Sequence, residues 1–138
     1  MCSSDLAALD RLDFIADTFL SVGAPVQHAA AQWLSRRAEI QACIRQRTRE
    51  NLETLQGLPA ASPVRLLDVE GGWNATLEIP RLMSEEDWTL SLLDEENVLV
   101  HPGYFFDFPR EAFLVLSLLP PPDRFREGLG RILARMHA

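Results

Sequence analysis

Apolar positions fall first at helical spacing. Leu6, Leu9, Leu12, Ile15 and Phe19 recur every few residues with Asp10, Arg11, Asp13 and Asp17 between them. That is the stripe of an amphipathic helix reaching to Thr18. The stretch SVGAP interrupts it, and Pro25 suits the first position of a second helix. The second stripe runs through Val26, Ala29, Ala30, Trp33, Leu34, Ile40, Cys43, Ile44, Leu52 and Leu55, and Gly57 and Pro59 end it. At 1.5 Å per residue a helix of about 30 residues spans about 45 Å. Such a helix outspans a domain of this size, so its far end is expected to be covered by protein beyond this chain.

The period then changes to two. Trp73, Ala75, Leu77 and Ile79 alternate with Asn74, Thr76 and Glu78, predicting a strand with one buried face that follows an earlier strand across the turn at Gly71 and Gly72. Pro80 closes it. Ser84 is placed to cap a helix whose first turn carries Glu85, Glu86 and Asp87, and whose inward residues are Trp88, Leu92 and Leu93. Asn97 is suited to end that helix in a left-handed conformation. Val98 to Val100 reads as a third strand and Phe113 to Leu119 as a fourth, the latter apolar enough for burial on both faces. PPPD opens a last helix with Phe125, Leu129, Ile132, Leu133 and Met136 on one side and arginines on the other. The expected fold is α/β (α+β): a two-layer sandwich with a mixed four-stranded sheet packed by helices and preceded by a long connecting helix.

Composition narrows the functional classes. The chain has 138 residues, enough for one domain with a real core, and a net charge of −7. The surface field of such a chain repels polyanions, which argues against nucleic acid and anionic membranes as partners. Cys2 and Cys43 have neither disulfide-framework nor zinc spacing; a reducing, cytoplasmic setting is the expectation. Asp5 and Asp10 stand where a signal peptide would be apolar, and no apolar run is long enough to span a bilayer. All 13 Lys+Arg residues are arginines. Chemistry that needs a protein ε-amine, such as a Schiff base to an aldehyde cofactor, cannot be completed by these residues.

Local motifs taken singly point only to an α/β domain. His101, at a strand end before Pro102, reads first as a packed or solvated structural residue. The acidic runs SEED and LDEEN are helix ends, and the arginines of RQRTRE coat an exposed helix face. The stretch VLVHPGYFFDF leaves two readings open, with Tyr104, Phe105 and Phe106 either filling the core or walling a pocket.

The combination is more specific. EGGWNATLEIP, VLVHPGYFFDF and FLVLSLLPPPDRFREGLGRIL, in this order and spacing, resemble the small C-terminal domain of class I/II, fold-type I pyridoxal-phosphate-dependent aminotransferases. DTFLSVGAPVQHAAAQWL resembles the same family's passage from the large domain into the long connecting helix. The resemblance implies that residues 1–24 end the large-domain region and that 25–138 form the small domain. It also implies amino-group transfer between an amino acid and a 2-oxo acid. Pyridoxal 5'-phosphate would be bound mainly by an absent large domain, which is the implied partner, within a possible homodimer. Gly72, Trp73, Tyr104, Phe105 and Val115 are the substrate-binding positions it implies, with no catalytic residue and no metal. Val115, Leu116 and Ser117 stand where the family carries arginine, an aliphatic residue and serine, so the bidentate anchor for a substrate carboxylate is replaced by valine. Asn74 stands where an aromatic residue is frequent. The alternative is a stand-alone α/β interaction or small-ligand-binding module derived from such a domain.

Overall fold

One of the two inner strands of the sheet is the last of the four in sequence. In the computed structural model, which describes residues 3–19 and 22–137, the sheet is built from β1 (Arg65–Leu66), β2 (Asn74–Glu78), β3 (His101–Pro102) and β4 (Phe113–Ser117). Their order is β1-β2-β4-β3, and every ladder is antiparallel. The two-layer α+β architecture is as expected, but the sheet is not mixed. The reason is topological. A helix, α4 (Glu85–Glu96), crosses between β2 and β3 and leaves them pointing the same way. They do not pair, because β4 inserts between them and runs antiparallel to both.

Register fixes the two faces, since directly opposed residues share a side. Leu66 lies opposite Leu77, Ala75 opposite Leu116, Leu77 opposite Leu114, and Pro102 opposite Leu114. This face carries the core. It packs with Trp88 and Leu92 of α4, and with Phe125, Leu129, Ile132 and Met136 of the last helix, α5 (Pro122–His137). The other face presents Asn74, Thr76 and Glu78 beside Ser117, Val115 and Phe113, with His101 opposite Val115. Phe113 and Val115 are buried like Leu114 and Leu116, so β4 is enclosed on both sides as its composition predicts.

Local chemistry sets the ends of α4. The Ser84 hydroxyl accepts from the Asp87 amide at 3.0 Å, three acidic residues occupy the positive first turn, and Asn97 ends the helix at φ 54°, ψ 41°. Trp88 is buried and donates its indole N–H to the Pro80 carbonyl at 3.2 Å. Leu93 departs from expectation: it points outward at 39 % exposure, whereas Leu92 is fully buried. One step along a helix turns the side chain by about 100°, off a stripe that Trp88 and Leu92 already fill.

The expected strand at Val98 to Val100 is displaced. Pairing with β4 begins only at His101 and ends at Pro102, whose missing N–H is tolerated because β3 is an edge strand. The Val98 amide is instead spent on the Leu92 carbonyl at 2.9 Å, completing the end of α4.

The long second helix is two helices, α2 (Ala24–Ser35) and α3 (Arg37–Gln56), after α1 (Ser3–Thr18). Arg36 breaks the run at φ −98°, ψ 6°. Its amide is shared between the Gln32 and Trp33 carbonyls at 3.3 and 3.1 Å. The Ser35 hydroxyl donates to the same Gln32 oxygen at 2.7 Å, and this competition tightens the turn and resets the ladder.

The chain divides into two compact units, Met1–Gln41 and Ala42–Ala138. In the first, Leu6, Leu9, Leu12 and Ile15 of α1 and Trp33 and Leu34 of α2 are all more than half exposed. In the second, Asn51 of α3 is fully buried and donates to the Leu118 and Pro120 carbonyls, both at 2.9 Å. It clamps the passage from β4 into α5. Among the described residues no helix is long and apolar enough to cross a membrane.

Leu114 and Leu93 provide a matched test of this layering. Leu114→Ala is expected to lower unfolding free energy by ~2–5 kcal/mol through a cavity under this inner strand, whereas Leu93→Ala should stay within about 1 kcal/mol. Urea denaturation of the two variants measures both.

Candidate functional site

The aromatic segment after β3 is a single 3-10 turn, Gly103–Phe106. It ends at Asp107, where φ is 56° and the amide bonds back to the Tyr104 carbonyl. Its rings are not core. Tyr104, Phe105 and Phe106 are 51 %, 62 % and 47 % exposed. Tyr104 and Phe105 meet edge to face at 4.8 Å, and the His101 ring lies 6.2 and 6.4 Å from those of Phe105 and Phe106. Phe108, by contrast, packs inward on Phe113 at 4.7 Å.

A buried carboxylate holds this turn. Glu85, 3 % exposed at the start of α4, accepts from the Tyr104 amide at 2.9 Å through Oε2 and from the Phe113 amide at 2.7 Å through Oε1. Each backbone N–H thus has a charge-assisted partner, in a buried bond at Phe113 and a partly buried one at Tyr104. The arrangement explains the glycine of Pro102-Gly103. A Cβ at Gly103 would stand 2.8 Å from the Phe113 Cβ and 2.9 Å from Glu85 Oε1, closer than packing allows. Ala112, immediately before Phe113, is held at φ 90°, and its carbonyl accepts from the Ile79 amide at 2.9 Å. A side chain in that region costs of order 1–3 kcal/mol and persists only where its surroundings impose it.

The five positions implied by the resemblance fall in two groups. Val115 lies on the outward sheet face between Thr76 and His101, and His101 connects it to the Tyr104–Phe105 pair. Gly72 and Trp73 lie toward the other end of β4, where the Trp73 carbonyl accepts from the Leu118 amide at 2.7 Å. Gly72 takes φ 84°, the conformation that calls for glycine in the turn. Trp73 is 58 % exposed and so departs from the buried alternation of Ala75, Leu77 and Ile79. A groove of about 770 Å³ follows β1 between Pro59, Pro63, Arg65 and Glu78, and none of the five residues lines it.

Glu85 escapes a reading of sequence because its partners lie 19 and 28 residues away; locally it looks like any acid in a first helical turn. The trio around Glu78 is hidden in the same way. Arg65 Nε and Arg110 donate to the Glu78 carboxylate at 2.8 and 2.7 Å. These hydrogen bonds, the Arg65 one first, hold the Glu78 carboxyl below its ordinary value of 4.5. Arg110 also lies over the Phe113 ring at 4.6 Å. Both arginines beside this face are therefore already engaged. Among the described residues no group of three or more His, Cys, Asp or Glu side chains is arranged to hold a metal ion.

No protein-family model and no curated protein matches this sequence. Solved structures do match. An aminotransferase, so assigned provisionally, from Silicibacter pomeroyi is 26 % identical with a TM-score of 0.76, over 98 % of this chain and 36 % of that one. A PLP-dependent aminotransferase from Streptococcus suis is 26 % identical with a TM-score of 0.77, over 92 % of this chain and 35 % of that one. The aromatic aminotransferase of Pyrococcus horikoshii shares the fold at 16 % identity and a TM-score of 0.74, over 91 % of this chain and 34 % of its own. The chain spans about a third of the length of these proteins.

Two substitutions probe the geometry. Gly103→Ala should destabilise by ~1–3 kcal/mol through forced overlap, while Gly130→Ala, whose Cβ meets nothing within 4 Å, should be neutral or slightly stabilising in urea titrations. Glu78 has its carboxyl pKa lowered in the fold, so the stability it contributes is present above the ordinary carboxylate range and is lost as pH falls through the folded value. In acid titrations of the urea midpoint, Glu78→Gln should flatten the decline below pH 4.5.

Proposed function

From a chain with the fold of the C-terminal small domain of class I/II, fold-type I pyridoxal-phosphate-dependent aminotransferases, we propose that it serves as the substrate-lid domain of such an enzyme. The reaction is transfer of an amino group between an amino acid and a 2-oxo acid. The observation that carries this reading is the match of nearly the whole chain to about a third of each relative.

The residues present do not fit the coenzyme as its holders. Pyridoxal phosphate is tethered through a lysine in such enzymes, and this chain has none. Covalent attachment and the chemistry it supports therefore belong to a partner, a large coenzyme-binding domain, and this chain is inactive alone. The exposed apolar stripes of α1 and α2 offer that partner a docking face, since apolar surface of this extent marks contact sites. The assembly is proposed to be a homodimer.

In that assembly the chain's own groups act by shaping and drying the cleft. Tyr104, Phe105 and Trp73 present exposed rings that exclude water on closure, and Gly72 lets backbone approach closely. Val115, on the outward sheet face between Thr76 and His101, is itself buried, so it would back the cleft from beneath and not line it openly.

Mixing this chain with a separately expressed large domain should restore donor-dependent changes in coenzyme absorbance that neither partner shows alone. No change with any amino donor would sink the lid role. In the same assay Trp73→Ala should raise KM several-fold while costing less than about 1 kcal/mol of stability, as for an exposed side chain. A loss of ~3–5 kcal/mol with unchanged kinetics would assign Trp73 to the core instead.

A further inference from the structure

We infer that Glu85 is a positioning residue that sets two substrate-facing elements at once: the aromatic turn Gly103–Phe106 and the start of the strand that carries Val115. The inference rests on the lid reading for what the elements face, but its geometry stands independently. One oxygen of the carboxylate fixes the amide of Tyr104 and the other fixes the amide of Phe113. Tyr104 begins the ring pair with Phe105, and Phe113 lies two residues before Val115.

Three further features converge on the same point. Glu85 is almost completely buried, so the geometry is not shared with solvent. Gly103 leaves no room for a methyl group between the carboxylate and Phe113, so the turn lies against its anchor with no slack. Ala112 is held at φ 90° directly beside the anchored amide, a conformation that relaxes unless its neighbours enforce it. Without the carboxylate, the buried Phe113 N–H and the partly buried Tyr104 N–H lose their partners together, and the rings of Tyr104 and Phe105 lose their fixed origin. Glu85 does not reach the outward face itself; it acts through the two backbone segments.

The test compares Glu85→Gln, which keeps one acceptor oxygen, and Glu85→Ala with Asn51→Ala, which removes a buried clamp elsewhere in the same unit. In the 138-residue chain, amide exchange at Tyr104 and Phe113 is expected to accelerate by about tenfold or more in Glu85→Ala and by less in Glu85→Gln, relative to Asn51→Ala. Equal exchange at these amides in Glu85→Ala and Asn51→Ala overturns the inference. In the reconstituted assembly, Glu85→Gln is expected to raise KM for the amino donor with kcat largely kept, and Asn51→Ala to leave KM unchanged. Faster exchange with unaltered KM in Glu85→Gln also overturns it, because the carboxylate would then only stabilise the fold. A wild-type assembly without turnover counts against the lid reading alone, and the exchange measurement then decides whether Glu85 sets the turn.

Discussion

The half of this domain that carries the aromatic turn depends on one carboxylate placed where water does not reach. Glu85 begins α4, and its two oxygens accept backbone hydrogens from the turn after β3 and from the first residue of β4. A helix, an edge strand's continuation and an inner strand meet at that point. Burying a charge is costly unless each oxygen finds a donor, and here both do. The need for close approach fixes the neighbouring residue type, because any side chain larger than hydrogen at Gly103 would occupy the space of the carboxylate. Gly103, unremarkable within a Pro-Gly dipeptide, has its identity set in part by a residue 18 positions earlier.

Polar clamps of the same kind close the rest of the unit. Asn51 holds the carbonyls that lead from β4 into α5. Arg131 donates to the Glu96 carbonyl at 2.9 Å and Arg135 to the Ser91 hydroxyl at 3.1 Å, joining α5 to α4. Each tie lies at the margin of an apolar layer formed by Leu77, Leu92, Leu114 and Ile132. The layer supplies most of the driving force, and the ties select which backbone path it stabilises. On the outward face Glu78 engages both neighbouring arginines, so Val115 is flanked by a hydroxyl and an imidazole and not by a free guanidinium.

Much of the fold was legible in the sequence because it is written in periodicity and capping. The alternation through Ala75, Leu77 and Ile79, the cap at Ser84, the left-handed stop at Asn97 and the stripe of α5 all depend on residues within a few positions of one another. What escaped depends on long-range partners or on small competitions. The antiparallel sheet follows from where β4 inserts, which no local pattern encodes. The break at Arg36 follows from one serine hydroxyl contesting one carbonyl. Val98 to Val100 has strand composition, but its first amide is needed by the helix before it. For the site, exposure of the rings resolves their place relative to the core. The residue that positions them was invisible, because an acid in a helix's opening turn has a sufficient local reason to be there.

The insertion of β4 also has a consequence for how the chain acquires its shape. Strands β2 and β3 have no common edge to share until residues 113–117 arrive between them, so most of the ladder pairing waits until that last of the four strands has been made. Until then the chain carries apolar segments whose partner has not yet left the ribosome, a state in which exposed surface invites aggregation. The late strand is also the most apolar one, and its entry completes the sheet and sequesters that surface in a single step.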